Sequence, residues 1–275
     1  MTALLLAFAS SVSWGIADFF GGLKSRRLPL LNVLLASQGV GLALIGSFML
    51  LRWESPPGGD FALWAVFSGV AGVTGLAAFY RGLAVGNMGV VAPISATAAV
   101  VPVVVGIATG DRPATVQYVG LVLALTGVIL ASREEVSGGT ARGAGLAVVS
   151  ALGFGFFFVG IDNASDADIG WAMLVNRITG FSLLLVAFAL LRPPLAARRN
   201  DIPVLATVGT LDVGANALFA LASTEGLVSL VAVLGSLYPL TTVALAAVVL
   251  GERPHRVAQI GVATALAGVV LIAAG

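Results

Sequence analysis

The sequence predicts an all-α integral membrane protein of ten transmembrane helices, arranged as two inverted repeats of five helices. Hydrophobic residues make up 59% of the chain and charged residues only 10%, against roughly 25% charged residues in soluble domains. Apolar runs long enough to cross a bilayer recur along the chain, and its second half repeats the pattern of its first half. Together these observations place the chain in a lipid bilayer and indicate an internal duplication.

The ten apolar runs are each about 19 to 23 residues long, the length that a helix needs to span the hydrocarbon core. We number them as spans 1 to 10. In the first half they lie at 3–21, 30–51, 61–80, 90–109 and 114–132, and in the second half at 143–161, 169–191, 203–224, 228–250 and 255–273. The connections between most spans are short and leave no room for a soluble domain.

The duplication is a register that holds along almost the whole chain. It aligns Gly15 with Gly155 and, after one inserted residue in the second half, Gly127 with Gly268. Each copy has an odd number of spans, so the two copies cross the membrane in opposite senses. Many secondary transporters have this plan, with the substrate near the midplane between the repeats. The predicted divisions are a first five-helix repeat at 1–131, a polar linker at 132–142 and a second five-helix repeat at 143–275.

The basic residues predict the orientation of the chain. Eleven Lys and Arg residues fall in or beside loops that follow odd-numbered spans, whereas only Arg52 and Arg112 fall in loops that follow even-numbered spans. Lys and Arg collect on the cytoplasmic side of a membrane. We therefore expect a multi-pass protein of the inner (plasma) membrane with both termini outside.

Three groups of residues point to a known family. They are Trp14-Gly15 in span 1, Ala77-Ala78-Phe79-Tyr80 in span 3, and Leu250-Gly251-Glu252-Arg253-Pro254 followed by Gln259, Gly261 and Gly268. In these motifs both halves of the chain resemble the EamA-like family of the drug/metabolite transporter superfamily. The resemblance implies ten helices around a central cavity and the transport of small metabolites, commonly their export. It also implies cytoplasmic termini, opposite to the charge count, and we follow the charges.

Polar side chains inside the spans are the candidate functional residues, because a charge in the bilayer is costly and points to a role. The charges are not duplicated: the register that aligns the two halves places Phe158 opposite Asp18 and Gly72 opposite Asp212. A purely structural device would be expected in both copies, whereas a site for one substrate need not be. The candidate substrate or coupling residues are Trp14, Asp18, Gln38, Tyr80, Asn176, Arg177, Asp212, Asn216 and Tyr238.

Two of these groups carry specific expectations. Asp18 has no evident partner within the membrane and is the first candidate proton carrier, the alternative being that it reaches the interface near Lys24. Arg177 and Asp212 are expected to form an ion pair, because their depths in adjacent antiparallel spans differ by roughly 7 Å at 1.5 Å per residue. Silent packing is the alternative for this pair. Tyr80 has a membrane-belt position as its alternative reading.

The function that the sequence favours is secondary transport by alternating access, as an exporter of amino-acid-like or amphipathic small metabolites. An uptake permease of the same fold is the main alternative, and a channel is a further one. An enzyme is disfavoured, because the one histidine, His255, lies in the loop region where span 10 begins and no nucleophile motif accompanies it. The chain has no Cys and a net charge of +1, which argues against a thiolate metal site and a nucleic-acid partner. The expected partners are a small molecule, lipid and, as a candidate, protons. No cofactor is expected, and a monomer is a candidate assembly.

Overall fold

The computed structural model describes residues 1–85, 91, 95, 97–131, 144–249 and 256–274. Within these residues the regular elements are helices, and no strand occurs among them. The linker at 132–142 and the turn at 250–255, with its Gly-Glu-Arg-Pro motif and His255, lie outside the described residues.

The helices follow the predicted spans closely. In the first half they are α1 (Thr2–Ser25), α2 (Leu30–Arg52), α3 (Phe61–Val85), α4 (Val100–Thr109) with a leading 3₁₀ turn (Thr97–Ala99), and α5 (Thr115–Ala131). In the second half they are α6 (Ala144–Ser165), α7 (Ile169–Leu191), α8 (Ile202–Glu225) with a leading 3₁₀ turn (Arg199–Asp201), α9 (Val228–Gly235), α10 (Tyr238–Val249) and α11 (Arg256–Ala274).

Six helices of the described part are long and apolar enough to cross a bilayer, namely α1, α2, α3, α6, α7 and α8. The helices at the other four predicted spans are apolar but shorter, at Thr97–Thr109, Thr115–Gly127, Val228–Thr242 and Gln259–Ile272. The long helices fall on spans 1–3 and 6–8, so the same three positions of each half carry them.

Predicted span 9 is divided within the described residues. The sequence predicts one helix over 228–250, but α9 ends at Gly235 and α10 begins at Tyr238. Pro239 is the second residue of α10. Proline lacks a backbone N–H and has a fixed φ, so it fits the first turn of a helix better than its interior. The proline therefore stands at the start of a new helix, close to the middle of the predicted span.

The packing partners of the two halves correspond to each other. The most extensive interfaces join α3 to α6, α1 to α8 and α5 to α11. In the register of the duplication α6 is the counterpart of α1, and α8 is the counterpart of α3. Exchanging the halves therefore turns the α3–α6 interface into the α8–α1 interface, and the α5–α11 interface into itself. The α3–α7 and α2–α8 interfaces are related in the same way.

Glycine allows the closest of these approaches. A Cβ atom at Gly127 on α5 would overlap the backbone of Ala265 on α11, and one at Gly268 on α11 would overlap the backbone of Ala124 on α5. The register of the duplication turns one contact into the other. Small residues allow helix backbones to come together in lipid, where no hydrophobic effect drives helix pairing. These glycines therefore lie on the helix-packing faces.

Candidate substrate site

A pocket lies between the long helices, and the space free of protein atoms in it and at its open mouth is about 630 Å³. Trp14, at the middle of α1, is part of its wall. The pocket is therefore near the midpoint of a membrane-crossing helix, the depth at which transporters of repeated architecture bind their substrates. The residues around it are Trp14, Asp18, Gln38, Gly69, Gly72, Val73, Leu76, Phe154, Phe157, Phe158, Asn176, Arg177, Gly180, Asp212, Asn216 and Tyr238.

The candidate residues from the sequence converge on this pocket. Eight of the nine line it, although they come from α1, α2, α7, α8 and α10. The ninth, Tyr80 on α3, is only 2% exposed and contacts the pocket residue Asp18. A membrane-belt position for Tyr80 is therefore excluded, because a belt aromatic faces the lipid–water interface.

The expected ion pair between Arg177 and Asp212 is present. A guanidinium nitrogen of Arg177 lies 2.7 Å from a carboxylate oxygen of Asp212. The Arg177 side chain is 4% exposed and the Asp212 side chain 15% exposed, so both charges are largely removed from water. A buried charge needs a partner and hydrogen bonds to offset its desolvation, and here each charge supplies that partner to the other.

Gln38 on α2 forms hydrogen bonds with both partners of the ion pair. Its side-chain amide donates a hydrogen bond of 3.1 Å to the same Asp212 oxygen that Arg177 contacts. Its carbonyl oxygen in turn accepts a hydrogen bond from the Arg177 guanidinium. The guanidinium lies against Gly41, where a Cβ atom would be 3.3 Å from its central carbon. Three helices, α2, α7 and α8, are thus linked by one buried polar network.

Asp18 on α1 has a partner that the sequence did not reveal. The Tyr80 hydroxyl on α3 donates a hydrogen bond of 3.2 Å to a carboxylate oxygen of Asp18. The expectation that Asp18 lacks a partner was therefore wrong. The alternative that Asp18 reaches the interface beside Lys24 is also not supported, because Asp18 is 9% exposed and Lys24 instead forms an ion pair of 2.6 Å with Asp201.

Asn176 and Tyr238 complete the polar wall. The Asn176 amide donates a hydrogen bond of 2.7 Å to the Ser68 hydroxyl on α3, which fixes its orientation at the pocket. The Tyr238 hydroxyl is buried and finds no hydrogen-bond partner among the described residues. Because a buried hydroxyl without a partner is destabilising, Tyr238 is a polar group available to a bound molecule.

Aromatic rings form most of the remaining wall. The Trp14 ring lies 6.3 Å from the Phe157 ring and 5.8 Å from the Phe158 ring, measured between centroids. Phe154 lies 6.5 Å from Tyr238. Sequence reasoning missed Phe157 and Phe158, although the aromatic run at 154–158 was a visible signal in span 6. An aromatic wall around a few fixed polar groups is typical of a small-molecule pocket.

The comparison with known families assigns the chain to one of them. The model of the EamA-like transporter family matches residues 1–133 and 141–274. The chain belongs to the EamA-like transporter family. It is therefore an integral membrane protein of a transporter family of the drug/metabolite superfamily, as its motifs suggested.

A solved structure supports the fold of this EamA-like chain. It is described only as "Crystal structure of protein", and it is similar with a TM-score of 0.79 over 98% of this chain and 95% of that chain. The sequence identity is 16%, so this likeness concerns the fold alone. No curated protein matches the chain.

The groups that line this EamA-like pocket can bind and orient a small molecule. Its charges are Asp18, Arg177 and Asp212, and its other polar groups include side-chain amides and a tyrosine hydroxyl. Among the described residues no group of three or more His, Cys, Asp or Glu side chains is arranged to hold a metal ion. The pocket combines charges of both signs with an aromatic wall.

Proposed function

We propose that this EamA-like chain is a secondary transporter that exports amino-acid-like or amphipathic small metabolites by alternating access. The observation that carries the proposal is the buried Arg177–Asp212 pair in a pocket at the middle of the fold. The proposed architecture is ten membrane crossings in two inverted five-helix repeats, at 1–131 and 143–275, joined by the linker at 132–142.

The correspondence of helix contacts supports alternating access. Two halves that pack by the same contacts have two related arrangements of similar energy, because exchanging their roles creates no new kind of interface. In an inverted repeat these two arrangements open to opposite sides of the membrane. The pocket lies between the halves and is thus exposed to each side in turn.

The ion pair supports amino-acid-like cargo. Removing one charge of a buried pair leaves the other unpaired at a high cost in free energy. A molecule with both an ammonium and a carboxylate group replaces each partner in turn, so that neither Arg177 nor Asp212 is left uncompensated. A neutral molecule has no charges with which to open the pair.

The transport proposal is tested first in cells and then in proteoliposomes. Untargeted metabolomics of the medium should show metabolites that accumulate with the parent protein and do not accumulate with the Arg177→Ala/Asp212→Ala double variant. Proteoliposomes preloaded with a mixture of unlabelled amino acids should then take up a labelled mixture by saturable exchange. Flux without saturation or exchange would instead indicate a channel, and depletion of the medium would indicate an uptake permease.

The ion pairs at the helix ends support the proposed topology. Lys24 at the end of α1 pairs with Asp201 before α8 at 2.6 Å, which brings the loops after spans 1 and 7 to one side. Arg52 at the end of α2 pairs with Asp168 before α7 at 2.8 Å, which brings the loops after spans 2 and 6 together. These two odd loops and these two even loops are therefore grouped separately, an arrangement that ten crossings would give. The basic residues favour the odd loops as the cytoplasmic ones.

Cysteine labelling tests the orientation, because the chain has no cysteine of its own. Ser55 and Ala196 are exposed residues of an even and an odd loop, respectively. With both termini outside, Ser55→Cys should react with a membrane-impermeant maleimide added to intact cells, and Ala196→Cys should react only after permeabilisation. The reverse pattern would place both termini in the cytoplasm.

We also propose protons as the coupling ion, with Asp18 as the carrier. Asp18 is the pocket carboxylate that has no basic partner among the described residues, and a charge within the bilayer is costly without one. Uptake or efflux driven by an imposed pH gradient in proteoliposomes should be lost in Asp18→Asn. An undiminished gradient-driven rate would remove Asp18 from this role.

A further inference from the structure

The charges that line the pocket do not balance. Two carboxylates, Asp18 and Asp212, stand against one guanidinium, that of Arg177. Arg177 is committed to Asp212, and among the described residues no basic side chain lies within ion-pair distance of Asp18. Lys24, the basic residue that follows it on α1, is paired with Asp201. The residues 86–96, between α3 and α4, contain no basic side chain in the sequence. When both carboxylates are ionised, the excess charge of the pocket is therefore negative and belongs to Asp18.

The groups around Asp18 suit a hydrogen-bonding cation. From α3 the Tyr80 hydroxyl donates to one oxygen of the carboxylate, which orients the group. Tyr238 on α10 lines the same pocket, is 4% exposed, and has a hydroxyl without a partner among the described residues. A hydroxyl oxygen accepts hydrogen bonds as well as donating them. A carboxylate and a free hydroxyl oxygen are both acceptors for an N–H group.

The aromatic rings beside Asp18 favour the same kind of ligand. Trp14 lies one helical turn before Asp18, on the same face of α1, and both line the pocket. Phe157 and Phe158 adjoin the Trp14 ring. The faces of aromatic rings attract cations, most strongly when the cation is removed from water. An anion in this position would meet a carboxylate and the negative faces of the rings.

We propose that Asp18 is the centre of an ammonium subsite, so that cargo with a protonated amine and an apolar body binds in preference to an anion of the same shape. The amine lies against Asp18 and Tyr238, and the apolar body lies along Trp14 and the neighbouring phenylalanines. This inference rests on the proposed transport function and deepens it. It names Asp18 as the group that receives the amine of the cargo first, before the amine of a zwitterion moves on to Asp212 to open the ion pair. For cargo without a carboxylate the Arg177–Asp212 pair stays closed.

The duplication does not produce a second copy of the subsite. In the register that aligns the two halves, Phe158 stands opposite Asp18, Ala220 opposite Tyr80 and Ala98 opposite Tyr238. The corresponding corner of the pocket is therefore apolar and has no acceptor from these positions. An amine therefore binds at Asp18 and not at the equivalent position of the other half, although the helices around the two positions are nearly symmetric.

Three probes that share a phenyl ring test the subsite by direct binding to the purified full-length protein at neutral pH. They are 2-phenylethylamine, L-phenylalanine and 3-phenylpropionate, which carry an amine, both groups and a carboxylate. Isothermal titration calorimetry should show binding of 2-phenylethylamine and L-phenylalanine at least tenfold tighter than binding of 3-phenylpropionate. Equal or tighter binding of 3-phenylpropionate would overturn the subsite, and so would the absence of binding by all three probes.

Variants assign the binding to Asp18. Asp18→Asn should weaken 2-phenylethylamine binding at least tenfold, whereas the matched variant Asp162→Asn, an acid at the end of α6 outside the pocket lining, should bind like the parent. Tyr238→Phe removes only the unpartnered hydroxyl and should weaken amine binding about threefold without loss of folding, which keeps the test decisive if Asp18→Asn does not fold. Parent-like amine binding in Tyr238→Phe and in Asp18→Asn would overturn the proposal.

The two proposals fail in different ways. Amine binding that depends on Asp18, without any transport in proteoliposomes, would contradict the transport function and leave the subsite in place. Saturable exchange of metabolites that 2-phenylethylamine does not inhibit would retain the transport function and overturn the subsite.

Discussion

The same aromatic contact between the two halves of the chain occurs twice, with the roles of the halves exchanged. Trp14 on α1 lies 5.7 Å from Phe219 on α8, and Phe154 on α6 lies 5.9 Å from Phe79 on α3, measured between ring centroids. The register of the duplication turns the first pair into the second. The glycines beside these rings show the same correspondence. A Cβ atom at Gly15 would lie 2.6 Å from the carbonyl oxygen of Tyr238, and a Cβ atom at the equivalent glycine of the second half would be similarly close to the equivalent carbonyl oxygen of the first half.

The polar groups of the halves do not correspond in this way. The Asp18–Tyr80 hydrogen bond of the first half has Phe158 and Ala220 in the equivalent positions of the second half. In that corner Phe158 stacks on Phe219 at 4.6 Å instead. One corner of the pocket thus contains a hydrogen-bonded acid, and the equivalent positions of the other half contain stacked aromatic rings.

The difference separates two requirements of a transporter. Related packing in the two halves gives two arrangements of similar energy, which alternation between the two sides of a membrane needs. Recognition of a cargo needs no symmetry, since a small molecule with different ends binds best between different groups. The correspondence between the halves is thus retained in the helix contacts and is lost among the polar side chains of the pocket.

Breaking the ion pair, which has no counterpart in the register of the duplication, should have the largest effect on stability. Arg177→Ala or Asp212→Ala leaves a buried charge without its partner, and the free energy of unfolding should fall by about 3–5 kcal/mol. The double variant should recover much of this loss and still not transport. Thermal unfolding in detergent measures the stability of all three. Arg81→Ala, at an exposed arginine, is the matched control and should change stability little. Simple addition of the two single losses in the double variant would show that the residues do not interact.

Adding a methyl group at the symmetric α5–α11 interface should lower stability less, and by the same amount from either half. Gly127→Ala and Gly268→Ala place a methyl group on the facing backbone of α11 and α5, and overpacking of this kind costs about 1–3 kcal/mol. Gly46→Ala is the control, because a Cβ atom at Gly46 meets nothing within 4 Å. Its melting temperature should equal or exceed that of the parent, since alanine favours the helix. A large loss in one half alone would contradict the correspondence of the two contacts.

Removing the Tyr80 hydroxyl should lower stability by no more than filling the helix interface does. Tyr80→Phe deletes the hydrogen bond to Asp18 and keeps the ring, so the free energy of unfolding should fall by about 1.5–3 kcal/mol if the carboxylate is charged and by about 0.5–1.5 kcal/mol if it is neutral. Chemical unfolding in detergent measures this difference. Tyr118→Phe, at a tyrosine that is 39% exposed, should leave stability unchanged. Equal effects of the two substitutions would show that the Tyr80 hydroxyl makes no net contribution.

The sequence by itself determined the helical class, the positions of most helices and the duplicated register. It also identified Arg177 and Asp212 as partners. These results depend on local properties: the length of an apolar run, a repeated spacing and the cost of a charge in lipid. An intramembrane charge demands a partner of opposite sign, and the span lengths placed these two charges at similar depth. The family match then confirmed the resemblance that the motifs carried.

Only the tertiary structure decided which side chains meet across helices. It joined Tyr80 to Asp18 and Gln38 to the ion pair, and it left the Tyr238 hydroxyl without a partner among the described residues. It also divided predicted span 9 before Pro239. None of this follows from apolar spacing, because a polar side chain on one helix is compatible with many neighbours. The rotation and close approach of the helices select one of them, and in lipid these are set by the contacts of small residues that fit only when both helices are in place.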